Sequence, residues 1–231
     1  MKKVNSILLG NSNVYLIKGE KGYLLIDAGF PNTVKTFLNA LEKKSINLRD
    51  IVLIVITHVH YDHVGNLKET KDFTGAKIIV SSNEYELLKK GIISIPKGTN
   101  ISGKLISYLG NLFPKAISYP PVEADIRISE TYSLKDFGFN ASIIPTPGHT
   151  EGSLSVVSDS GEAFVGDTCF NIFPINKSTV FPPFANDIPI LLKSWKLLLD
   201  MKVQELFPGH GKPFDRDKLQ VSYMKLEEKI I

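Results

Sequence analysis

Short apolar runs separated by turn residues open the chain. Val14 to Lys18 and Tyr23 to Asp27 flank Gly19 Glu20 Lys21 Gly22, and this pattern predicts a β-hairpin. Past Ala28 to Asn32, the apolar residues Val34, Phe37, Leu38 and Leu41 recur at the spacing of one helical face, with Asn32 or Thr33 as N-cap. Ile51 to Ile56 is six consecutive apolar residues, mostly β-branched, which suits a strand buried on both faces. A helical stretch opened by Gly65 and Asn66 and running to about Phe73, a strand at Lys77 to Val80 and a helix at Asn83 to Lys90 continue the alternation.

Between Gly91 and Pro121 the texture changes to glycines, prolines and serines with scattered Ile, Leu, Tyr and Phe. Only Gly103 to Leu112 keeps a helical pattern, so 91–121 is expected to form an insertion or lid. Strands then crowd at Asp125 to Ser129, Thr131 to Leu134, Ala141 to Ile144, Leu154 to Ser158 and Ala163 to Val165. Helices return at about Pro189 to Leu199, with Trp195 on the core side, and at Lys218 to Lys229. Strands and helices in both halves predict an α/β architecture in layers, with helices packed outside the sheet.

Composition narrows the class. With 231 residues, 43% of them apolar, one domain spanning 1–231 can bury a sizeable core. The formal charge is +3, lysines and acids are interleaved, and no run of five basic residues marks a nucleic-acid arm. No nucleic-acid partner is expected. Gly10 to Asn13 interrupts the apolar stretch Ser6 to Leu9 before a signal segment forms, and no apolar run approaches the roughly 18 residues of a membrane span, so no membrane partner is expected. The single Cys169 allows no internal disulfide and reads as a buried, inert thiol, and a cytoplasmic location is the expectation. The sequence sets no oligomeric state.

Candidate chemistry lies in the five histidines. Three fall in Thr57 His58 Val59 His60 Tyr61 Asp62 His63 Val64 Gly65, one in Pro147 Gly148 His149 Thr150 and one in Pro208 Gly209 His210 Gly211. Neutral imidazole is the commonest protein metal ligand, and here no histidine is left over. On a turn leaving a buried strand, His58 and His60 point to one side and can converge on one cation, while Asp62 and His63 can face a second. His149 and His210 are expected to project from loops at the same sheet edge. Asp167, in Gly166 Asp167 Thr168, is the remaining candidate. These seven side chains suffice for two divalent cations. Asp27 either serves the backbone where a strand ends or orients a ligand from behind.

Five motifs together, Ile26 Asp27 Ala28 Gly29, the run from Thr57 to Gly65, PGHT at 147–150, GDT at 166–168 and PGHG at 208–211, resemble the metallo-β-lactamase fold superfamily, and within it the glyoxalase II-like hydrolases. The resemblance implies a four-layer αββα sandwich with metals at one edge between the sheets. It implies His58, His60 and His149 at the first metal, Asp62, His63 and His210 at the second, and Asp167 bridging. Metal-bound hydroxide would be the nucleophile, and Asp62 would take a proton as the tetrahedral intermediate collapses. Donors of imidazole and carboxylate without thiolate suit Zn2+, with iron and manganese as the other metals that fit.

The implied activity is hydrolysis of a thioester, ester or lactone in a small-molecule substrate. Glutathione-binding relatives carry basic residues after the bridging aspartate, whereas here Lys177 is the only one in a stretch rich in Phe, Ile and Pro. That stretch and 91–121 are expected to wall an apolar acyl pocket. An acyl-homoserine lactonase resembles this ligand set but carries a tyrosine where Phe170 stands. A persulfide dioxygenase would use one iron at His58, His149 and Asp167. A nuclease would need a basic phosphate surface, and a non-catalytic binding module would have no need of the complete ligand set.

Overall fold

The computed structural model describes residues 4–91, 93, 95–112, 117–174 and 176–228. Two six-stranded sheets face each other. The first is built in chain order from β1 (Asn5–Leu9), β2 (Ser12–Lys18), β3 (Tyr23–Ile26), β4 (Ile51–Val55), β5 (Lys77–Ser81) and β6 (Ile126–Ile128). Its first three strands are antiparallel neighbours, and β3 to β6 run parallel. The second runs in space β12 (Phe214–Asp215), β11 (Glu205–Gly211), β10 (Glu162–Asn171), β9 (Leu154–Ser158), β8 (Ala141–Pro145) and β7 (Tyr132–Ser133), with β10 and β11 parallel and the other neighbours antiparallel.

Residue alternation along the strands builds four layers. In the first sheet Leu24, Ile26, Leu53, Val55 and Ile79 enter the core between the sheets, while Leu25, Ile54, Ile78 and Val80 join a second core on the outer face. There they meet α1 (Val34–Lys43), α3 (Leu67–Thr74) and α4 (Tyr85–Lys90) through Phe37, Leu41, Leu67 and Leu88. In the second sheet Ile143, Val156, Phe164 and Phe207 face inward, and Ile144, Val157, Val165 and Leu206 pack outward with α6 (Ile188–Asp200) and α7 (Arg216–Glu227). A side-chain period of two gives each strand two apolar faces, so each sheet must be covered on both sides. The result is the αββα order.

Tyr15 joins the sheets: its ring lies 5.2 and 5.6 Å from Phe164 and Phe207, and its hydroxyl donates to the Pro208 carbonyl at 2.6 Å. Trp195 is fully buried as expected, with Nε1 donating to the Thr168 carbonyl at 2.8 Å. Cys169 is buried beside it, and burial raises its thiol pKa well above the ordinary value. No helix of the described residues is long and apolar enough to cross a membrane.

Several boundaries differ from the sequence reading. The strand expected at Ala163 to Val165 continues to Asn171, because Gly166 takes φ +49° in a bulge and the pairing with β11 resumes beyond it. Strand β11 was concealed by Pro208, Gly209 and Gly211, which read as a turn; consequently His210 lies on a strand rather than on a loop. Strand β1 was also unforeseen. A one-turn helix, α2 (Tyr61–Val64), precedes α3, and Gly65 separates them where an added Cβ would sit 2.2 Å from the Pro31 nitrogen. Helices α6 and α7 begin earlier than expected, capped by Asp187 and Asp215, which accept from the amides of Ile190 and Lys218. The expected end of α7 at Lys229 lies outside the described residues. Within 91–121, one helix forms, α5 (Ile101–Leu112); residues 92, 94 and 113–116 of that stretch are outside the described set.

Leu53 is fully buried between the sheets. Leu53→Ala is expected to lower stability by about 2–5 kcal/mol in chemical denaturation, whereas Val221→Ala on exposed α7 surface should stay within about 0.5 kcal/mol.

Candidate metal centre

Strand β4 ends at Val55, and the following turn carries His58 and His60 into the edge between the sheets before α2 presents Asp62 and His63. His149 comes from the turn after β8, Asp167 from the bulged half of β10, and His210 from β11. The seven side chains meet in two groups. Ligating atoms of His58, His60, His149 and Asp167 all lie within 4.8 Å of one another, as do those of Asp62, His63 and His210. Asp167 stands between the groups: Oδ2 is 3.7, 3.6 and 3.5 Å from Nε2 of His58, His149 and His210, and Oδ1 is 3.2 Å from His63 Nε2. Asp62 Oδ2 lies 3.2 Å from His210 Nε2.

The backs of the imidazoles are held by the chain. His63 Nδ1 meets Asp27 Oδ2 at 2.8 Å, His149 Nδ1 donates to the Phe184 carbonyl at 2.8 Å and His210 Nδ1 to the Asn11 carbonyl at 2.7 Å. His58 Nδ1 lies 3.1 Å from Thr57 Oγ1. Each of these four turns Nε2 inward, whereas His60 presents Nδ1, 2.9 Å from His58 Nε2 and 3.2 Å from His149 Nε2. Three imidazole nitrogens thus point at one another. His63 Nε2 and Asp167 Oδ1, 3.2 Å apart, are buried and make no well-formed hydrogen bond among the described residues. Buried polar atoms normally find partners, and convergent lone pairs of this kind fit divalent cations. Gly209 permits the approach of Asp167 and His63, since a Cβ there would lie 2.4 Å from Asp167 Oδ1 and 2.6 Å from His63 Cε1.

Three supporting residues had no distinctive signal in the sequence. Thr57 donates its amide and hydroxyl to Asp27, at 2.8 Å for each closest contact. Buried Glu84 accepts the Val59 amide and hydrogen bonds Thr150 and Gly152, tying the His58–His60 turn to the His149 turn. Asn13 donates to the carbonyls of Pro208 and Gly211, on either side of His210. Only the strand-end position of Asp27 pointed to such a role.

Electrostatics divides the groups. Burial, followed by the neighbouring imidazoles, pushes His58 well below its ordinary value, and burial with His149 beside it takes His60 down to about 3. Burial also lowers His149. These rings are neutral, the state a metal requires. Burial opposes charge on His63 and His210 too, but Asp167 and the other carboxylates outweigh it, raising His63 well above its ordinary value and His210 to about 10.

Above the site lies a cavity of about 240 Å³. Tyr61, Ile93, Ile95, Ile106, Ile172 and Phe184 wall it, no Lys or Arg lines it among the described residues, and His60, Asp62, His149, Asp167 and His210 form its floor. Phe170 stacks on His210 with centroids 4.7 Å apart. A larger surface hollow of about 890 Å³, beside Lys18, Lys43 and Lys44, is away from the histidines.

In the metal-free chain these shifts set the sign of a pH dependence. His60 titrates near 3 when folded and near 6.5 when unfolded, so its contribution falls as pH drops from 6.5 toward 3. His210 titrates near 10, so its contribution is complete below 6.5 and is lost as pH rises toward 10. Chelated protein is expected to be most stable near pH 6.5 in denaturant titrations; stability rising steadily from pH 6.5 to 10 would contradict this.

Residues 7–210 match the family model of the metallo-beta-lactamase superfamily. Over 221 residues the chain is 33% identical to "Probable metallo-hydrolase MJ0888" of Methanocaldococcus jannaschii, covering 94% of each chain. It is 26% identical to "Probable metallo-hydrolase YflN" of Bacillus subtilis, over 92% of this chain and 85% of the relative. Among solved structures, the fold is similar to BJP-1, a subclass B3 metallo-beta-lactamase of Bradyrhizobium japonicum, with TM-score 0.71 at 21% identity over 100% of this chain and 90% of that one. It is also similar to the archaeal superfamily protein ST1585 of Sulfolobus tokodaii, with TM-score 0.68 at 24% identity over 100% and 87%. The resemblance carried by the five motifs and the layered fold thus agree with the family match, and the chain belongs to the metallo-beta-lactamase superfamily.

Proposed function

We propose that this chain is a dinuclear metal-dependent hydrolase of the glyoxalase II-like type, cleaving a thioester, ester or lactone that bears a small apolar acyl group. One observation carries the reading: seven candidate ligand side chains converge, two of their buried atoms making no well-formed hydrogen bond among the described residues, at the floor of an apolar cavity. Relatives named probable metallo-hydrolases support the reaction type. His58 Nε2, His60 Nδ1 and His149 Nε2 would hold one cation, Asp62, His63 and His210 the other, with Asp167 shared. Zinc suits these donors, and iron and manganese are the other candidates. When bound, two divalent cations supply Lewis acidity and a water acidified toward neutrality.

The remaining work falls to the chain. The apolar walls exclude water and hold the acyl group against the ligand floor. Among the described residues no Lys or Arg lines the cavity, so they offer the carboxylates of glutathione no cationic partner there. Asp62 reaches the floor; burial opposes its charge, yet His63 and His210 lower it to about 2, so it stays ionised. The Asp62 carboxylate takes the proton that the attacking water releases on forming the new carbon–oxygen bond, and returns it to the departing oxygen or sulfur as that atom's bond to the carbonyl carbon breaks. Asp27, bonded to His63 and Thr57, orients one ligand and the turn carrying two others.

Elemental analysis is expected to find two metal ions per chain, mostly zinc, and a panel of neutral thioesters, esters and lactones should include a substrate. His58→Ala and Asp167→Ala should each lose metal and hydrolysis together. One iron per chain with oxygen consumption on glutathione persulfide would instead establish the dioxygenase. Asp27→Asn should keep the fold while weakening metal binding roughly 10- to 100-fold in chelator competition; unchanged affinity would remove Asp27 from the positioning role.

A further inference from the structure

Helix α5 faces the wrong way for a helix whose partner is water. Its inward side carries Gly103, Ser107 and Gly110. A Cβ on Gly103 would lie 2.4 Å from the Pro183 carbonyl oxygen, one on Gly110 would lie 2.2 Å from Ile95 Cδ1, and Ser107 Oγ donates to the Ile95 carbonyl at 3.3 Å. Outward stand Ile101, Leu105, Tyr108, Leu109 and Leu112, which are 88, 58, 67, 48 and 55% exposed. At 100° per residue these five occupy a sector of roughly 100°. An ordinary surface helix buries such a sector and exposes its small and polar residues. Here small residues are used for close approach to the body, and the large apolar side chains are left outside.

Charge identifies what this face suits. The interleaving of lysines and acids fails in one place: no Asp or Glu occurs between Glu86 and Glu123, whereas Lys89, Lys90, Lys97, Lys104 and Lys115 do, Lys115 lying outside the described residues. Lys89 pairs with Glu123, but Lys90, Lys97 and Lys104 are exposed and make no ion pair among the described residues. Lys104 adjoins the apolar sector on α5 itself. A second copy docked through this face would bring a second Lys104 to the border of the contact, with no acid from the stretch to offset it. An apolar sector bordered by Lys104, containing a tyrosine and lying in a stretch with lysines and no acids, matches the interface of an anionic bilayer, where the side chains enter the acyl boundary and ammonium groups meet phosphate.

The geometry points to α5 as a docking helix that lies in the surface of an anionic lipid membrane. Twelve residues are too few to span the bilayer, so α5 lies along it. This revises the sequence expectation of no membrane partner. Ile106, on the flank of the same helix, lines the cavity above the histidines, so docking sets the cavity beside the lipid. Delivery of an apolar acyl substrate from lipid rests on the proposed function; docking itself does not.

The test is co-sedimentation of the full chain with vesicles of phosphatidylcholine alone and of an equimolar mixture with phosphatidylglycerol. Binding is expected to the anionic vesicles, at least about tenfold weaker to the neutral ones and weakened by salt. Leu105→Ser with Leu109→Ser should lower vesicle binding by about tenfold or more, with an unchanged unfolding midpoint and metal content. Absence of vesicle binding, equal binding by the double variant, or a dimer in sedimentation velocity that the double variant abolishes without any vesicle binding would each overturn the assignment. A failed substrate panel beside positive vesicle binding would sink the hydrolase reading alone.

Discussion

The carboxylate of Asp27 holds the metal edge of the sandwich together. It sits at φ +61°, a conformation uncommon for a residue with a side chain, immediately after β3. From there it receives the amide and hydroxyl of Thr57 at the end of β4 and meets Nδ1 of His63 on α2. Two parallel strands and a one-turn helix are thereby fixed to one buried side chain. Thr57 in turn contacts His58, so the orientations of ligands in both groups depend on that position. A left-handed backbone held by four polar contacts is the kind of local cost that persists when the surroundings specify it.

Around that anchor, the same neighbourhood gives chemically identical side chains opposite tendencies. His58, His60 and His149 meet chiefly one another and the apolar interior, so desolvation keeps them neutral. His63 and His210 meet carboxylates, which favour the charged form despite equal burial. Asp167 belongs to both environments because the bulge at Gly166 lets β10 continue past its first pairing with β11 and places the carboxylate between the groups. Only glycine suits that position: a Cβ at Gly166 would fall 2.5 Å from Thr57 Oγ1, and its φ of +49° is one that other residues rarely adopt.

The walls of the cavity above the histidines are supplied by segments outside the sandwich layers. Residues 95–112 are tied to the segment after β10 through Thr99 and Ala185, whose amides donate to the carbonyls of Pro183 and Lys97. The two segments together raise Ile95, Ile106, Ile172 and Phe184 above the ligands. The cavity thus has an apolar mouth over a polar floor, the division common to small-molecule sites.

The sequence by itself determined the candidate ligand residues and the class of layers. His58, His60, Asp62 and His63 are legible because they follow one buried strand within a single turn, where spacing in the chain translates directly into spacing in space. The layers follow from the short apolar strands and amphipathic helices in each half, with the resemblance supplying the full αββα order. Only the tertiary structure decided how His149, Asp167 and His210 join that turn, since their proximity depends on the pairing of β10 with β11 and the facing of two sheets, contacts separated by many residues. It also moved His210 from an expected loop onto a strand, because a proline and two glycines obscure a bulged strand whose carbonyls are taken by Tyr15 and Asn13. The direction in which α5 faces was likewise beyond the sequence: periodicity locates a stripe, but only packing against Ile95 and Pro183 determines which side of the helix meets the protein.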